Sequence, residues 1–133
     1  MKLKTFVLLG VLVVSTLTSF AQSFDLKASI ERGQALYQVN CQSCHMSQGE
    51  GLPGVYPPLA NSEHLSDKER TVKVIINGLS GPIEVKGIKY NTPMSGHPLS
   101  DQEVADVMNY IRNSFGNSYG PVKPEEIQPA LKK

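Results

Sequence analysis

The sequence predicts an all-α fold of three to five short helices and allows a tiny β-hairpin. Three segments carry apolar residues at helical spacing, and the stretches between them are rich in glycine and proline. The 133 residues suit one small domain. Both cysteines lie in one five-residue motif, and a small domain with long loops needs an organising centre. We therefore expect the helices to surround a bound group.

The first segment, residues 26–40, predicts a helix. Leu26, Ile30, Gly33 and Tyr37 lie there on one stripe at helical spacing. Glycine inside a helix costs about 1 kcal/mol relative to alanine. The position of Gly33 would suit the close approach of another helix, although a merely tolerated glycine explains it equally well.

The second segment begins at Ser-Asp-Lys-Glu, residues 66–69, which fits a capping box. Asn-Gly at residues 77–78 gives its stop signal. Beyond it, residues 83–85 and 88–90 are separated by Lys-Gly, a spacing that allows the tiny hairpin. The apolar face of the predicted helix consists of Val72, Ile75, Ile76 and Leu79.

The third segment begins at another capping box, Ser-Asp-Gln-Glu at residues 100–103. It predicts an amphipathic helix that ends near Gly116, with Tyr110 and Tyr37 placed to meet where the first and last helices cross. After Gly116 the chain becomes polar and rich in proline, and we expect residues 117–133 to form a surface-lying extension. The apolar positions of this helix are Val104, Val107, Met108 and Ile111.

The amino terminus, residues 1–21, predicts a secretory signal peptide. Two lysines precede an apolar run over residues 6–17, and Ser-Phe-Ala at residues 19–21 supplies small residues at a cleavage site. We expect cleavage after this alanine, which leaves a domain over residues 22–116 in a periplasmic protein. The run is shorter than the roughly 20 residues of a membrane span. We therefore expect no stable membrane insertion after cleavage, with an uncleaved anchor as the alternative.

The cysteine motif reads Cys-Gln-Ser-Cys-His, the C-x-x-C-H pattern that attaches a c-type haem. Cys41 and Cys44 can each add to one haem vinyl group and form a thioether, which holds His45 beneath the iron as a ligand. A disulfide between the two cysteines is one alternative, but no βαβ pattern surrounds them. Zinc is another, but it needs four ligands, and His64 and His97 lack zinc-finger spacing. We expect one covalent haem, with its iron, per chain.

Two further positions complete the predicted iron site. Pro57 or Pro58 is the candidate to fix the His45 ring, because a proline keeps its carbonyl acceptor. Met94 is the candidate sixth ligand, because it lies in a polar loop with little core to fill and His/Met is a common ligand pair. His97, three residues later, is its rival.

Tyr56 and Tyr90 are the candidate aromatic residues beside the haem. Their hydroxyls would bond near a propionate or an axial ligand, and packing alone is the alternative. The choice between Met94 and His97 matters to function, because His/Met ligation raises the reduction potential relative to two nitrogen ligands.

The haem motif, the first helix with Gly33, residues 57–59 and Met94 together resemble the bacterial class I monohaem cytochromes c. Residues 51–59 and 78–83 are similar to the cytochrome domains that accompany periplasmic alcohol or sugar dehydrogenases and denitrification enzymes. The resemblance implies a class I cytochrome c fold, with helices wrapped around one covalent haem and a haem edge exposed to partners. Many relatives follow the ligating methionine with proline. Here Ser-Gly-His follows it, which predicts a looser ligand loop.

The predicted function is that of a one-electron carrier and not an enzyme. Two axial ligands leave no iron site for a substrate, and redox partner proteins would dock transiently: a dehydrogenase or reductase on one side, a terminal acceptor on the other. A formal net charge of +1 gives no reason to expect a nucleic-acid partner, and we expect a monomer. The alternative is a haem enzyme or gas-binding module with an open sixth site, for example a peroxidatic one, which requires Met94 to lie away from the iron.

Overall fold

The computed structural model describes residues 23–132, so the predicted signal peptide lies outside the described residues. The described chain forms five α-helices and four short strands, which confirms the all-α prediction and its tiny hairpin. Two 3-10 helices, Glu63–Ser66 and Pro124–Glu126, precede the third and fifth helices. The helices are α1 (Leu26–Asn40), α2 (Gln42–His45), α3 (Lys68–Asn77), α4 (Asp101–Arg112) and α5 (Ile127–Lys132). The strands are β1 (Gly78–Leu79), β2 (Ile83–Val85), β3 (Ile88–Tyr90) and β4 (Met94–Ser95).

Helices α1 and α4 cross at a distance that only glycine permits. A Cβ built on Gly33 would lie 2.6 Å from the Asp106 carbonyl carbon and 2.9 Å from the Tyr110 Cβ. The rings of Tyr37 and Tyr110 meet at this crossing, with their centroids 5.3 Å apart. Of the two explanations that the sequence left open for Gly33, the structure supports the close helix approach.

A buried polar network also joins α1 to α4. The Asp106 side chain is almost fully buried and accepts hydrogen bonds from Arg32 at 2.7 Å and from the Ser29 hydroxyl at 2.5 Å. The Gln102 amide donates to the same carboxylate at 3.0 Å. A buried carboxylate is tolerated when it is paired and hydrogen-bonded. The network thus stabilises one register of the two helices.

The capping predicted from the sequence is confirmed for α4 but not for α3. Ser100 and Glu103 form the predicted capping box of α4, with both reciprocal bonds present. For α3 the capping residue is Asp67, whose carboxylate accepts from the Arg70 amide at 3.0 Å. The predicted box beginning at Ser66 is therefore wrong, because this serine ends the preceding 3-10 helix.

Both strand pairs lie in the segment that joins α3 to α4, with the β2–β3 pair between β1 and β4 in the chain. Strands β2 and β3 form the predicted hairpin, and their turn has positive φ at both Lys86 and Gly87, as the right-handed twist of a hairpin favours. Strand β4 pairs with β1, so that Met94 lies opposite Leu79. The pairing of β1 with β4 was not predicted.

The segment after Gly116 packs against α3 and α4. Val122, Ile127 and Ala130 are buried, and the Asn109 side chain bonds both the N–H and the C=O of Val122 at 2.8 Å. The predicted surface extension thus contributes apolar side chains to the core, while the domain boundary at residue 116 stays a prediction. Within residues 23–132, no helix is long and apolar enough to cross a membrane.

Candidate haem-binding site

A cavity of about 360 Å³ lies between the haem motif, α3, the hairpin and the β4 segment. This volume falls within the range of about 300–1,000 Å³ that small-molecule and cofactor sites occupy. The cavity brings together all eight predicted site residues, whose individual roles remain predictions. They are Cys41, Cys44, His45, Tyr56, Pro57, Pro58, Tyr90 and Met94.

The haem motif forms one short helical turn at the end of α1. Cys41 caps α1, and the Cys44 and His45 amides donate to the Cys41 carbonyl at 3.2 and 2.9 Å. This turn brings both thiols and the imidazole to the same cavity. Neither thiol forms a disulfide. Burial and the neighbouring Cys44 raise the pKa of the Cys41 thiol to about 11, so this thiol is neutral at pH 7 before haem attachment.

The His45 side chain is only 8% exposed, and its Nδ1 lies 2.9 Å from the Pro57 carbonyl oxygen. A carbonyl can only accept, so Nδ1 carries the proton and Nε2 keeps its lone pair. Burial lowers the pKa of His45, the bond to Pro57 opposes this, and the charge of His97 adds to the lowering. The neutral imidazole is the form that a metal requires.

The loop that carries Pro57 is hydrogen-bonded to the haem motif. The Gly51 amide donates to the His45 carbonyl at 3.0 Å. Gly51 has φ +63°, and a Cβ there would lie 2.8 Å from the Pro57 carbonyl oxygen. Two further bonds, from the Leu59 and Ala60 amides to the Gly49 carbonyl, close the loop at 2.7 and 2.9 Å. These contacts hold the Pro57 acceptor against His45.

The segment that carries Met94 is held firmly, which corrects the expectation of a loose ligand loop. Met94 pairs with Leu79 in the β1–β4 ladder. The His97 amide donates to the Ile75 carbonyl at 2.8 Å. A Cβ built on Gly96 would lie 2.9 Å from the Asn77 carbonyl carbon. The backbone of this segment is therefore packed directly on the end of α3, without a proline after the methionine.

His97 and the two tyrosines complete this side of the site. His97 lines the same cavity as Met94. Tyr90 is 3% exposed and Tyr56 is half-buried, and both line the cavity. Both tyrosines are therefore placed to contact a bound group.

Several cavity residues were missed by the sequence analysis. Val74, Ile83 and Val85 supply apolar wall, and the alternation of the last two along β2 was a usable signal. Arg70 and Ser62 supply polar groups at the cavity, and nothing in their spacing distinguished them from surface residues.

The residues present fit a covalent haem better than a bare metal ion. A thiol pair, a neutral imidazole and a largely apolar wall suit attachment, ligation and burial of a porphyrin. Among residues 23–132, no group of three or more histidine, cysteine, aspartate or glutamate side chains could hold a metal ion. The zinc alternative therefore has no ligand set in the described part of the chain.

Comparison with known proteins defines the class. A family model described as cytochrome c matches residues 30–115. A cytochrome c-552 of Thermus thermophilus is 35% identical over 126 residues, covering 85% of this chain and 83% of that protein. A second Thermus thermophilus cytochrome c-552 is 37% identical over 109 residues, covering 72% of this chain and 81% of that protein.

A third relative is part of a larger assembly. The cytochrome c subunit of a quinone alcohol dehydrogenase from Gluconobacter oxydans is 34% identical over 100 residues, covering 72% of this chain but 21% of that subunit. This chain belongs to the cytochrome c family, as a class I monohaem cytochrome c. It carries covalently bound haem c and functions as an electron carrier.

Proposed function

We propose that this protein is a periplasmic one-electron carrier whose haem iron is ligated by His45 and Met94. The observation that carries the proposal is that both side chains line one cavity beside the two motif cysteines. The hydrogen bond from His45 to Pro57 supports an Nε2 that is free to bind iron. When bound, the haem supplies a reversible ferric/ferrous couple.

In this proposal, the chain's own residues attach the haem, ligate its iron and shield it from water. Cys41 and Cys44 hold the group through thioethers, and His45 and Met94 occupy the two axial positions. The apolar wall excludes water and, with the thioether ligand, favours a high reduction potential. With both axial positions filled, the protein has no iron site for a substrate and is not an enzyme. Tyr56 and Tyr90 would border the group.

Met94 is preferred over His97 because of how the two residues are held. Met94 belongs to a strand whose pairing with Leu79 fixes its backbone at the cavity. The His97 amide instead donates to the Ile75 carbonyl, two residues beyond the end of the ladder. His97 nevertheless lines the cavity. Ligation by two histidines is therefore the alternative that the experiment below must separate.

A dehydrogenase is the electron donor in this proposal, and a terminal acceptor receives the electron. Support comes from relatives named as cytochrome c subunits of alcohol, gluconate and fructose dehydrogenases, although this chain spans only about a fifth of their length. The protein would act as a monomer that docks transiently. The periplasmic location rests on the predicted signal peptide over residues 1–21.

Replacement of Met94 tests the ligand set. In Met94→Ala, we expect the ferric protein to lose the weak far-red band of thioether-to-iron charge transfer, and the reduction potential to fall. The ferrous variant should bind carbon monoxide, whereas the native protein should resist it. Met46→Leu is the matched control, because Met46 adjoins His45 in the chain but does not line the cavity.

Any of three results would overturn the proposed ligation. An intact far-red band in Met94→Ala would remove this methionine from the iron. Rapid carbon monoxide binding by the native ferrous protein would favour the open-site haem enzyme or gas-binding module. Loss of the native spectrum in His97→Ala but not in Met94→Ala would assign the sixth ligand to the histidine.

A further inference from the structure

The Asn117 side chain joins the loop that carries Pro57 to the end of α4. Its Nδ2 donates to the Leu59 carbonyl and to the Ile111 carbonyl, both at 2.8 Å. Its Oδ1 accepts from the Ser62 amide at 3.0 Å. One side-chain amide thus uses both its NH₂ group and its oxygen to connect two distant stretches of backbone.

The chain just after α4 holds the same loop at two more points. The Asn61 amide donates to the Phe115 carbonyl, and the Tyr119 hydroxyl donates to the Ser62 carbonyl, each at 3.0 Å. Together with the bonds described above, these contacts fix the backbone of the loop two to five residues after Pro57. The second half of this loop is therefore attached to the carboxy-terminal part of the chain.

Two consecutive prolines make a stiff connection between these contacts and His45. Pro57 and Pro58 have no N–H, so neither can be fixed by an amide hydrogen bond of its own. The Pro58 ring locks its φ, and a residue that precedes proline has a restricted ψ. A displacement at Leu59 is therefore passed on to the Pro57 carbonyl. That carbonyl oxygen lies 2.9 Å from Nδ1 of His45.

We propose that Asn117 is a positioning residue for the His45 ligand, a role that rests on the ligation proposed above. Its side chain is partly buried and is not among the described residues that line the cavity, so it acts through the Pro57 loop. An acceptor on the second ring nitrogen makes an imidazole a more basic ligand, which favours ferric iron. By holding that acceptor in place, Asn117 lowers the reduction potential.

Asn109 of α4 offers a matched control. Its Nδ2 donates to the Ser29 hydroxyl and to the Val122 carbonyl, and its Oδ1 accepts from the Val122 amide, all at 2.8 Å. These bonds join α4 to α1 and to the carboxy-terminal chain, and none of them reaches residues 57–62. Removal of either asparagine amide therefore costs three side-chain hydrogen bonds, but only one of the two removals releases the Pro57 loop.

The test compares Asn117→Ala with Asn109→Ala in the matured holoprotein. Proton NMR of the ferrous protein records the Nδ1–H resonance of His45. We expect this resonance to move upfield in Asn117→Ala, because a longer hydrogen bond deshields the proton less, and to stay in place in Asn109→Ala. The reduction potential should rise in Asn117→Ala and stay unchanged in Asn109→Ala, although both variants should lose stability.

An unmoved Nδ1–H resonance in Asn117→Ala would overturn the proposal. Equal movement in both variants would also overturn it, because the cause would then be a general loosening of the fold. If Asn117→Ala does not mature, Asn117→Ser should show a smaller upfield shift, since its hydroxyl can replace at most one lost donor. An unmoved resonance in that variant would have the same meaning.

The same spectra separate this proposal from the proposed function. Ring protons of His45 that are shifted by the haem ring current in the native protein report its ligation. Their absence there would contradict ligation by His45, and with it the role of Asn117. Their presence, together with an unmoved Nδ1–H resonance in Asn117→Ala, would contradict the role of Asn117 alone.

Discussion

A single backbone carbonyl decides which nitrogen of His45 can reach a metal. Pro57 accepts from Nδ1 at 2.9 Å, which leaves Nε2 as the ligating atom. The neighbouring Pro58 lines the cavity but does not bond the ring. Sequence reasoning found the Pro57–Pro58 pair because proline keeps its carbonyl. It did not choose between the two, because the choice depends on the Gly51 contact that orients the Pro57 carbonyl.

Gly33→Ala should destabilise the protein because its methyl group would overlap backbone. The added Cβ would lie 2.6 Å from the Asp106 carbonyl carbon, and main-chain atoms cannot move aside as a side chain can. We expect the free energy of unfolding of the holoprotein to fall by about 1–3 kcal/mol, the usual range for over-packing. Denaturant unfolding followed by circular dichroism measures the change.

Gly120→Ala is the control for that prediction. A Cβ on Gly120 would meet no atom within 4 Å, so its stability should change by less than about 0.5 kcal/mol, as for most surface substitutions. Equal losses in the two variants would mean that the close packing of α1 on α4 is not the reason for Gly33.

Among residues of the site, those with a specific chemical motif could be predicted and those without one could not. The spacing of Cys41, Cys44 and His45 admits few alternatives. Arg70 has no such signal, because an arginine in the first turn of a helix is ordinarily a solvated surface residue. Only its place on the wall of the folded cavity distinguishes it.

Among the secondary-structure elements, the segment after Gly116 packs across both α3 and α4. The Arg112 side chain is buried and donates to the Leu65 and Gly120 carbonyls, with its guanidinium 5.2 Å from the centre of the Tyr119 ring. Carbonyl acceptors and an aromatic face replace a carboxylate partner here. The segment therefore stays in place through backbone polar groups as well as through its apolar side chains.

The Lys68–Glu126 pair attaches this segment to α3. It should make the free energy of unfolding depend on pH. Burial opposes ionisation of Glu126, but bonds from the Lys68 ammonium at 2.9 Å and the Lys123 amide at 2.7 Å outweigh it and lower the pKa of Glu126 below its usual value. A depressed folded-state pKa stabilises the protein above the unfolded pKa, and this stabilisation is lost as the pH falls through the folded pKa.

We therefore expect Glu126→Gln to reduce the free energy of unfolding at pH 7 by about 0.2–1 kcal/mol, the range for a partly exposed pair. The difference from the native protein should vanish as the pH falls through the lowered folded-state pKa of Glu126, where the native carboxyl also becomes neutral. Glu125→Gln is the control, because Glu125 is exposed and forms no salt bridge among the described residues. A difference that persists at low pH would contradict the assigned role of this ion pair.

The helices could be predicted from the sequence, whereas the β1–β4 pair could not. Helical apolar spacing and the Ser100–Glu103 capping box are local signals. The β1–β4 ladder pairs only two residues from each strand, Gly78 with Ser95 and Leu79 with Met94. Such a pair has no periodicity to read, and it forms because Gly78 and Gly96 let two backbones approach closely. The position of the Met94 backbone is consequently fixed by tertiary contacts and not by a local sequence pattern.

In the whole molecule, the core and the cavity are continuous, because some side chains of α4 belong to both. Val104 and Met108 are fully buried in a cluster with Tyr37 and Ile127. Val107 and Ile111, from the same helix, belong to that cluster and also line the cavity. A protein with a cavity of about 360 Å³ beside a small core depends on what fills it, because empty apolar space forfeits packing contacts. The haem is thus part of the core.

Removal of the haem should therefore unfold most of the chain. In Cys41→Ala/Cys44→Ala purified free of haem, we expect loss of most helical circular dichroism and of a cooperative thermal transition. The apolar wall would then face water, and a domain of this size has little stability to spare. Each single cysteine variant, which can keep one thioether, is the control and should retain a cooperative transition whenever it retains haem. Native-like ellipticity and cooperative unfolding in the haem-free double variant would contradict this prediction. They would show that the α1–α4 core folds without haem.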